Sequence, residues 1–121
     1  MTWLNNLIIA HKRRRAHNQL MKACDMIHAF MLERWNEAAT QVHDAFEVRR
    51  WKLGNCMLKL ERYSIPPYDG DIITLSSNAE EIAAWKVFDN LHQGRGSYLI
   101  QPSFTPQLVK SLIASYDEQT R

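Results

Sequence analysis

Apolar residues recur at Leu20, Cys24, Ile27, Met31, Trp35, Ala38, Val42 and Phe46. From residue 20 to residue 42 the steps alternate between three and four, close to the α-helical repeat. The spacing predicts one amphipathic helix over about residues 18–53, with Arg49 interrupting its apolar face. A strict heptad from Leu20 would put Arg34, Gln41 and Lys52 on the seam, so a regular coiled coil fits less well. At about 1.5 Å per residue this helix is a rod of roughly 54 Å. A globule of this size has a radius of gyration near about 14 Å. The rod must therefore bend, break, protrude or pack on a partner. Gly54-Asn55 is the favoured break, because both residues tolerate the left-handed conformation that ends helices. The helical pattern resumes briefly from Cys56 to Tyr63, with Met57 and Leu60 on its apolar side. Upstream, Thr2 can cap a first helix whose apolar side is Trp3, Leu4, Leu7 and Ile8. The pattern leaves open whether that helix runs on through His11–Gln19.

Past Tyr63 the punctuation changes. Ser64-Ile65-Pro66-Pro67-Tyr68-Asp69-Gly70-Asp71 reads as a break, since prolines and an Asp-Gly pair disfavour regular structure. Ile72-Ile73-Thr74-Leu75 reads as a short strand of β-branched residues. Ser77-Asn78-Ala79-Glu80 matches a capping box. It would open a helix carrying Ile82, Trp85, Phe88 and Leu91 on one face, with Gly94 as its end. Ser97–Gln101 suggests a second short strand, beside the first. Thr105-Pro106 is a standard helix opening, and Leu108, Leu112, Ile113 and Tyr116 form that last helix's apolar side.

The expected fold is thus mainly α: a long central amphipathic helix, a basic N-terminal helix, and a smaller C-terminal α portion with minor β. A length of 121 residues suits a single domain. Within it, 1–63 would be the long-helix region, 64–76 the Pro/Gly loop and short strand, and 77–121 the C-terminal helical portion. The long apolar face exceeds what the roughly 60 other residues can cover. A protein partner or a homo-oligomer is therefore expected.

Composition changes this picture little. Hydrophobic residues make 45% and charged residues 23% of the chain, an ordinary globular mixture. Cys24 and Cys56 are too few for a disulfide scaffold. The run Leu7–Ala10 is far shorter than the roughly 20 residues needed to span a bilayer. A secretory leader would put its cations before the apolar segment, the reverse of the order here. A cytoplasmic protein without a transmembrane segment is expected.

Charge alters the picture more. The net charge of +2 is made of blocks: +5 over residues 1–24, −4 over 25–48, +4 over 49–62, −4 over 63–89 and +1 beyond. Blocks of opposite sign can neutralise one another in the folded chain or face partners separately.

The first basic block carries the leading functional candidates. Lys12, Arg13, Arg14 and Arg15 are followed by Lys22, and Lys12, Arg15, Gln19 and Lys22 fall near one helix face. Arginine forks bind phosphate bidentately and release its counterions, so nucleic acid is a candidate partner, as is an acidic protein surface. Arg49, Arg50, Trp51 and Lys52 form a second candidate patch, in which the indole could stack on an unpaired base. Trp51 lies off the main apolar stripe and is the better candidate for an exposed interface residue, although a partly buried packing role is the commoner one for such a residue.

Other chemistries are weaker. Trp3, Leu4, Leu7 and Ile8 ahead of four cations have the composition of a membrane-surface helix, though they would more simply form a satellite of the core. Cys24 and His28 share a helix face but lack paired companions; His43 and Cys56 are the remaining thiol or imidazole groups, and no metal or cofactor is expected. His43-Asp44 with Glu47 is a common surface arrangement, and no nucleophile elbow or phosphate loop occurs. The expectation is a small non-enzymatic accessory or regulatory protein that binds a macromolecular complex. The alternative is a protein-only inhibitor or adaptor that acts by shape and charge complementarity without touching nucleic acid.

Overall fold

In the computed structural model, which describes residues 2–66, 69–88 and 93–120, one helix, α1, runs unbroken from Thr2 to Glu33. The helix starting at Thr2 therefore continues through His11–Gln19 and merges with the front of the expected central helix. A single 3₁₀ turn, Trp35–Glu37, follows. Six strands come next: β1 Ala39–Val42, β2 Phe46–Leu53, β3 Cys56–Tyr63, β4 Gly70–Ser77, β5 Glu80–Phe88 and β6 Gln93–Ile100. A final helix, α2, spans Pro106–Gln119. Each strand pairs antiparallel with the next in sequence, an up-and-down meander.

A six-stranded sheet stands where helix is expected over residues 39–53, 56–63 and 80–88, so the mainly α reading is wrong. Residues 39–53 are strands, not the rear of a long helix. The three-and-four spacing persists there by coincidence: Val42, which continued it, is 77% exposed. The pattern the fold uses has period two. Trp51 and Leu53, then Cys56, Leu58 and Leu60, are buried, and between them stand Lys52, Met57 and Lys59. Gly54, at φ +61, turns β2 into β3, as glycine-led two-residue hairpins require. The expected break at Gly54-Asn55 is thus a hairpin tip.

What stops α1 is not local. No glycine or proline lies near Glu33. Instead, side chains from β2 bind the carbonyls of the two residues that follow the helix, the first of which also accepts the Glu37 N–H. The Trp51 indole Nε1–H donates to the Arg34 carbonyl at 3.0 Å, and Arg49 Nη1 donates to the Trp35 carbonyl at 2.8 Å. Arg34 itself donates to Asp117 of α2 from both Nε, at 3.2 Å, and Nη2, at 2.9 Å.

The capping-box reading also fails. Ser77 and Glu80 face each other across a two-residue turn in which Asn78 and Ala79 have φ of 50° and 67°, the left-handed pair of a type I′ hairpin. Ile82 and Trp85 therefore lie in a strand, as does Phe88, and Gly94 sits inside β6. Leu91 and Asp89 fall outside the described residues. The Ile72–Leu75 strand is correct and extends to Gly70–Ser77. Ser97–Ile100 is strand too, but pairs with β5 rather than β4. The α2 start is as expected: Thr105 Oγ1 accepts from the Leu108 N–H at 3.2 Å, with Pro106 in the first turn.

The core lies between one face of the sheet and the two helices. Ala23, Cys24, Ile27, Phe30 and Met31 of α1, with Val109, Leu112 and Tyr116 of α2, meet the inward rows of β2–β5. Phe30 stands edge-on to both Trp51, at 6.2 Å, and Tyr116, at 5.0 Å. The partner expectation built on a bare 18–53 helix thereby loses its premise, because the sheet covers what the rod would have left open.

Candidate functional site

The helix that packs so well at its second half does not pack at its first. Every residue from Thr2 to Gln19 is exposed. Ala16, His17 and Gln19 line a groove with Ile100, Phe104 and Thr105, so the part clear of the body is Thr2–Arg15, an arm roughly 21 Å long at about 1.5 Å per residue. Trp3 is 67% exposed and Leu7 56%, and Leu4, Ile8 and Ile9 are also exposed. They are not a satellite of the core.

The two apolar groups of α1 face opposite ways. Successive helical residues turn by about 100°, which places Trp3, Leu4, Leu7 and Ile8 on one stripe. Ala23, Cys24, Ile27, Phe30 and Met31, the side that meets the sheet, centre about 180° away. Ile9 lies on the sheet-facing side. Along the outward stripe, beyond Ile8, come His11, Arg14, Arg15, Asn18 and Lys22; Lys12 lies to one side of it, and Arg13 falls with Ile9 on the sheet-facing side.

The charges divide the same way. In the body, cations are paired at close range. Arg34 Nη2 meets Asp117 at 2.9 Å, Arg49 meets Glu47 at 3.0 Å, Lys59 meets Glu61 at 3.1 Å and Arg62 meets Asp71 at 2.8 Å. Asp71 is fully buried, and Arg62 grips both its oxygens; that hydrogen bond holds the guanidinium above its ordinary range. Burial alone would push Glu61 up, but hydrogen bonds from Tyr63 and Lys59 outweigh it and leave the carboxylate below its usual range. Among the described residues, none of Lys12, Arg13, Arg14, Arg15 and Lys22 has an acidic partner. Neutralisation between blocks thus describes the body, not the arm.

The second candidate patch is split by strand alternation. Arg49 and Trp51 point to the helix side of the sheet, Arg50 and Lys52 to the other. Trp51 is 2% exposed and anchors the end of α1, so it is no exposed stacking residue. Arg49 lies over the Trp35 ring at 4.3 Å, with Arg62 over the same ring at 4.6 Å. Arg50 donates to Gln41 at 2.7 Å, and in the register Lys59 is its neighbour on β3. Arg50, Lys52 and Lys59 make a modest basic area on the face of the sheet that the helices leave open. No single flat partner reaches both it and the outward stripe of α1.

The remaining candidates are occupied structurally. His28 is buried, and its Nε2 accepts the Trp85 indole N–H at 3.0 Å. Cys24 and Cys56 are buried and form no disulfide, and burial pushes the Cys56 thiol up, away from the reactive thiolate. Among the described residues no group of three His, Cys, Asp or Glu side chains is placed to hold a metal ion. His43 stacks on Phe46 at 4.4 Å, while Glu47 is held by Arg49, so the His43–Asp44–Glu47 run does not assemble into one site. No described helix is long and apolar enough to cross a membrane.

Sequence reasoning placed the cations of the arm but missed that the apolar residues ahead of them stay bare. Its available signal was the azimuth: the outward stripe and the stripe from Leu20 onward do not share a face. Comparison with protein-family models, with curated proteins and with solved structures finds no match to this chain.

Proposed function

We propose that this chain is a small non-enzymatic accessory or regulatory protein that attaches to an anionic macromolecular surface through the free half of α1. One observation carries the reading. Lys12, Arg13, Arg14 and Arg15 stand exposed and, among the described residues, without acidic partners on a helix that leaves the body, whereas the body pairs four of its own cations. A cation held away from its own carboxylates is available to a partner's anions, and it steers their approach. The chemistry of the cluster fits phosphate or an acidic protein surface. A cytoplasmic setting goes with two cysteines that form no disulfide. The alternative, an adaptor that binds a protein without polyanion contact, draws on the exposed apolar stripe of the same arm.

The test is retention on immobilised heparin over a salt gradient, alongside gel shifts with DNA and RNA. The wild-type chain is expected to bind in a salt-dependent way. The triple variant R13A/R14A/R15A is expected to elute at clearly lower salt with its circular dichroism unchanged. Co-elution of the variant with the wild type would remove the arm from the binding surface.

A further inference from the structure

We propose that the anionic surface is a lipid bilayer, and that the first half of α1 lies in its interface as a reversible anchor. This rests on the docking-arm reading and names its partner. Polyanion binding accounts for only half of what the arm displays. A nucleic acid would neutralise Arg14, Arg15 and Lys22 yet leave Trp3, Leu4, Leu7 and Ile8 in water beside it, 46–67% exposed. A bilayer uses both. It offers hydrocarbon to the apolar residues and, a few ångströms further out, phosphate and carboxylate groups to the cations.

The order of residues along the arm matches that layering. Thr2 to Ala10 contains no charged side chain, and the next five residues contain four cations. Nine helical residues span about 13 Å, enough to carry the tip into the headgroup and acyl boundary, where interfacial helices sit roughly 5–10 Å deep. Trp3 at the tip is the residue type that favours this boundary. Arginine and lysine stems can lie along apolar surface while their heads reach phosphate.

The body does not obstruct this pose. The sheet lies on the opposite side of α1, so a plane laid on the outward stripe meets the arm first. Lys110 of α2 shares a groove with Lys22 and adds a cation beside the stripe. The acids on the outward side, Asp25 and Glu33, come only in the second half of the helix. The helix therefore tilts, its N-terminal end entering the membrane and its packed half lifting away from it. That tilt also buries Ile9, which lies off the stripe.

Sedimentation of the full chain with vesicles tests the proposal. The probes are vesicles of phosphatidylcholine alone and of phosphatidylcholine with phosphatidylserine, two to one. Co-sedimentation is expected with the second and not the first, and it should weaken with salt. Tryptophan emission should shift to the blue on binding, and the shift should disappear in Trp3→Phe. The variant R14A/R15A should bind about 25-fold more weakly, taking roughly fivefold per cation near an anionic membrane. The variant L7S/I8S should lose binding at least as strongly while keeping its four surface cations. Both variants alter exposed residues, and unchanged circular dichroism shows that they fold.

Absence of co-sedimentation with serine-lipid vesicles overturns the proposal. So does L7S/I8S binding them as the wild type does, because the apolar stripe is then not inserted. A chain that shifts nucleic acid but ignores vesicles overturns the bilayer and leaves the docking arm standing. A chain that binds neither these nor heparin overturns both.

Discussion

The two halves of α1 are one unbroken helix with opposite environments. From Ala23 to Met31 the apolar side faces a sheet and is almost wholly buried. From Trp3 to Ile8 comparable residues face solvent, on the other side of the rod. Hydrophobic spacing therefore reveals that a face exists, but not what will cover it. The cations repeat the lesson: Arg34, Arg49, Lys59 and Arg62 in the body meet carboxylates of the same chain, whereas among the described residues Lys12 to Arg15 on the arm meet none.

Four measurements sharpen or break this contrast. The largest effect is expected in the packed half. Phe30→Ala should cost about 3–5 kcal/mol in denaturant unfolding, since it empties the contact between Trp51 and Tyr116. Trp3→Ala should stay within about 0.5 kcal/mol of the wild type. A comparable loss from Trp3→Ala would mean that the arm is packed after all.

The second concerns the charges. Asp71→Asn removes the buried partner of Arg62 and should cost about 2–3 kcal/mol. That is below the usual figure for breaking a buried pair, because the Arg62 side chain keeps 29% of its surface in contact with water. R13A/R14A/R15A breaks no pair and should leave stability unchanged within about 0.5 kcal/mol. Equal losses in the two variants would erase the distinction.

The third is alkaline. Burial first, and then the hydrogen bond to Glu37, push the Tyr116 hydroxyl up to about 12. The folded state thus holds this proton after the unfolded chain has released it. Its contribution is complete below about pH 10 and is lost as pH rises from 10 through 12, a loss of about 2–3 kcal/mol for this shift. Tyr63, raised by its hydrogen bond to Glu61, acts in the same direction. Unfolding measured across this range should show the decline, and Tyr116→Phe should flatten it.

The smallest expected effect is a gain. Ala79 has a φ of 67°, where a Cβ costs roughly 1–2 kcal/mol. Ala79→Gly gives back part of that relief through greater unfolded-state freedom. A net rise of about 0.5–1 kcal/mol is expected, read as a higher melting temperature. An unchanged or lowered value would deny the left-handed turn.

These residues also mark how far the sequence could be read. Asn78-Ala79 misled because Ser77 and Glu80 fit a capping box as well as they fit the two ends of a hairpin. The choice belongs to the pairing of β4 with β5. Trp51 was a candidate for exposure because it stood off a helical stripe; on a strand the same residue alternates inward. The arm's cations were legible as a block. That they would lack partners was not, since acids that follow in sequence are used elsewhere: Glu33 by Arg34, Glu37 by Tyr116 and Glu47 by Arg49.

By itself, the sequence determined what chemistry within a few residues can determine: a helix beginning at Thr2, the break after Tyr63, the strand at Ile72–Leu75, the Thr105-Pro106 start of α2, and a basic block with no acid before residue 25. Only the tertiary structure decided where α1 stops, that residues 39–63 are strands, and which helix face remains bare. The physical reason is the range of the interactions. Caps, turns and β-branched runs act between near neighbours. The groups that close α1 reach back 17 residues from Trp51 and 14 from Arg49, and such partners are visible only once the sheet has brought them there.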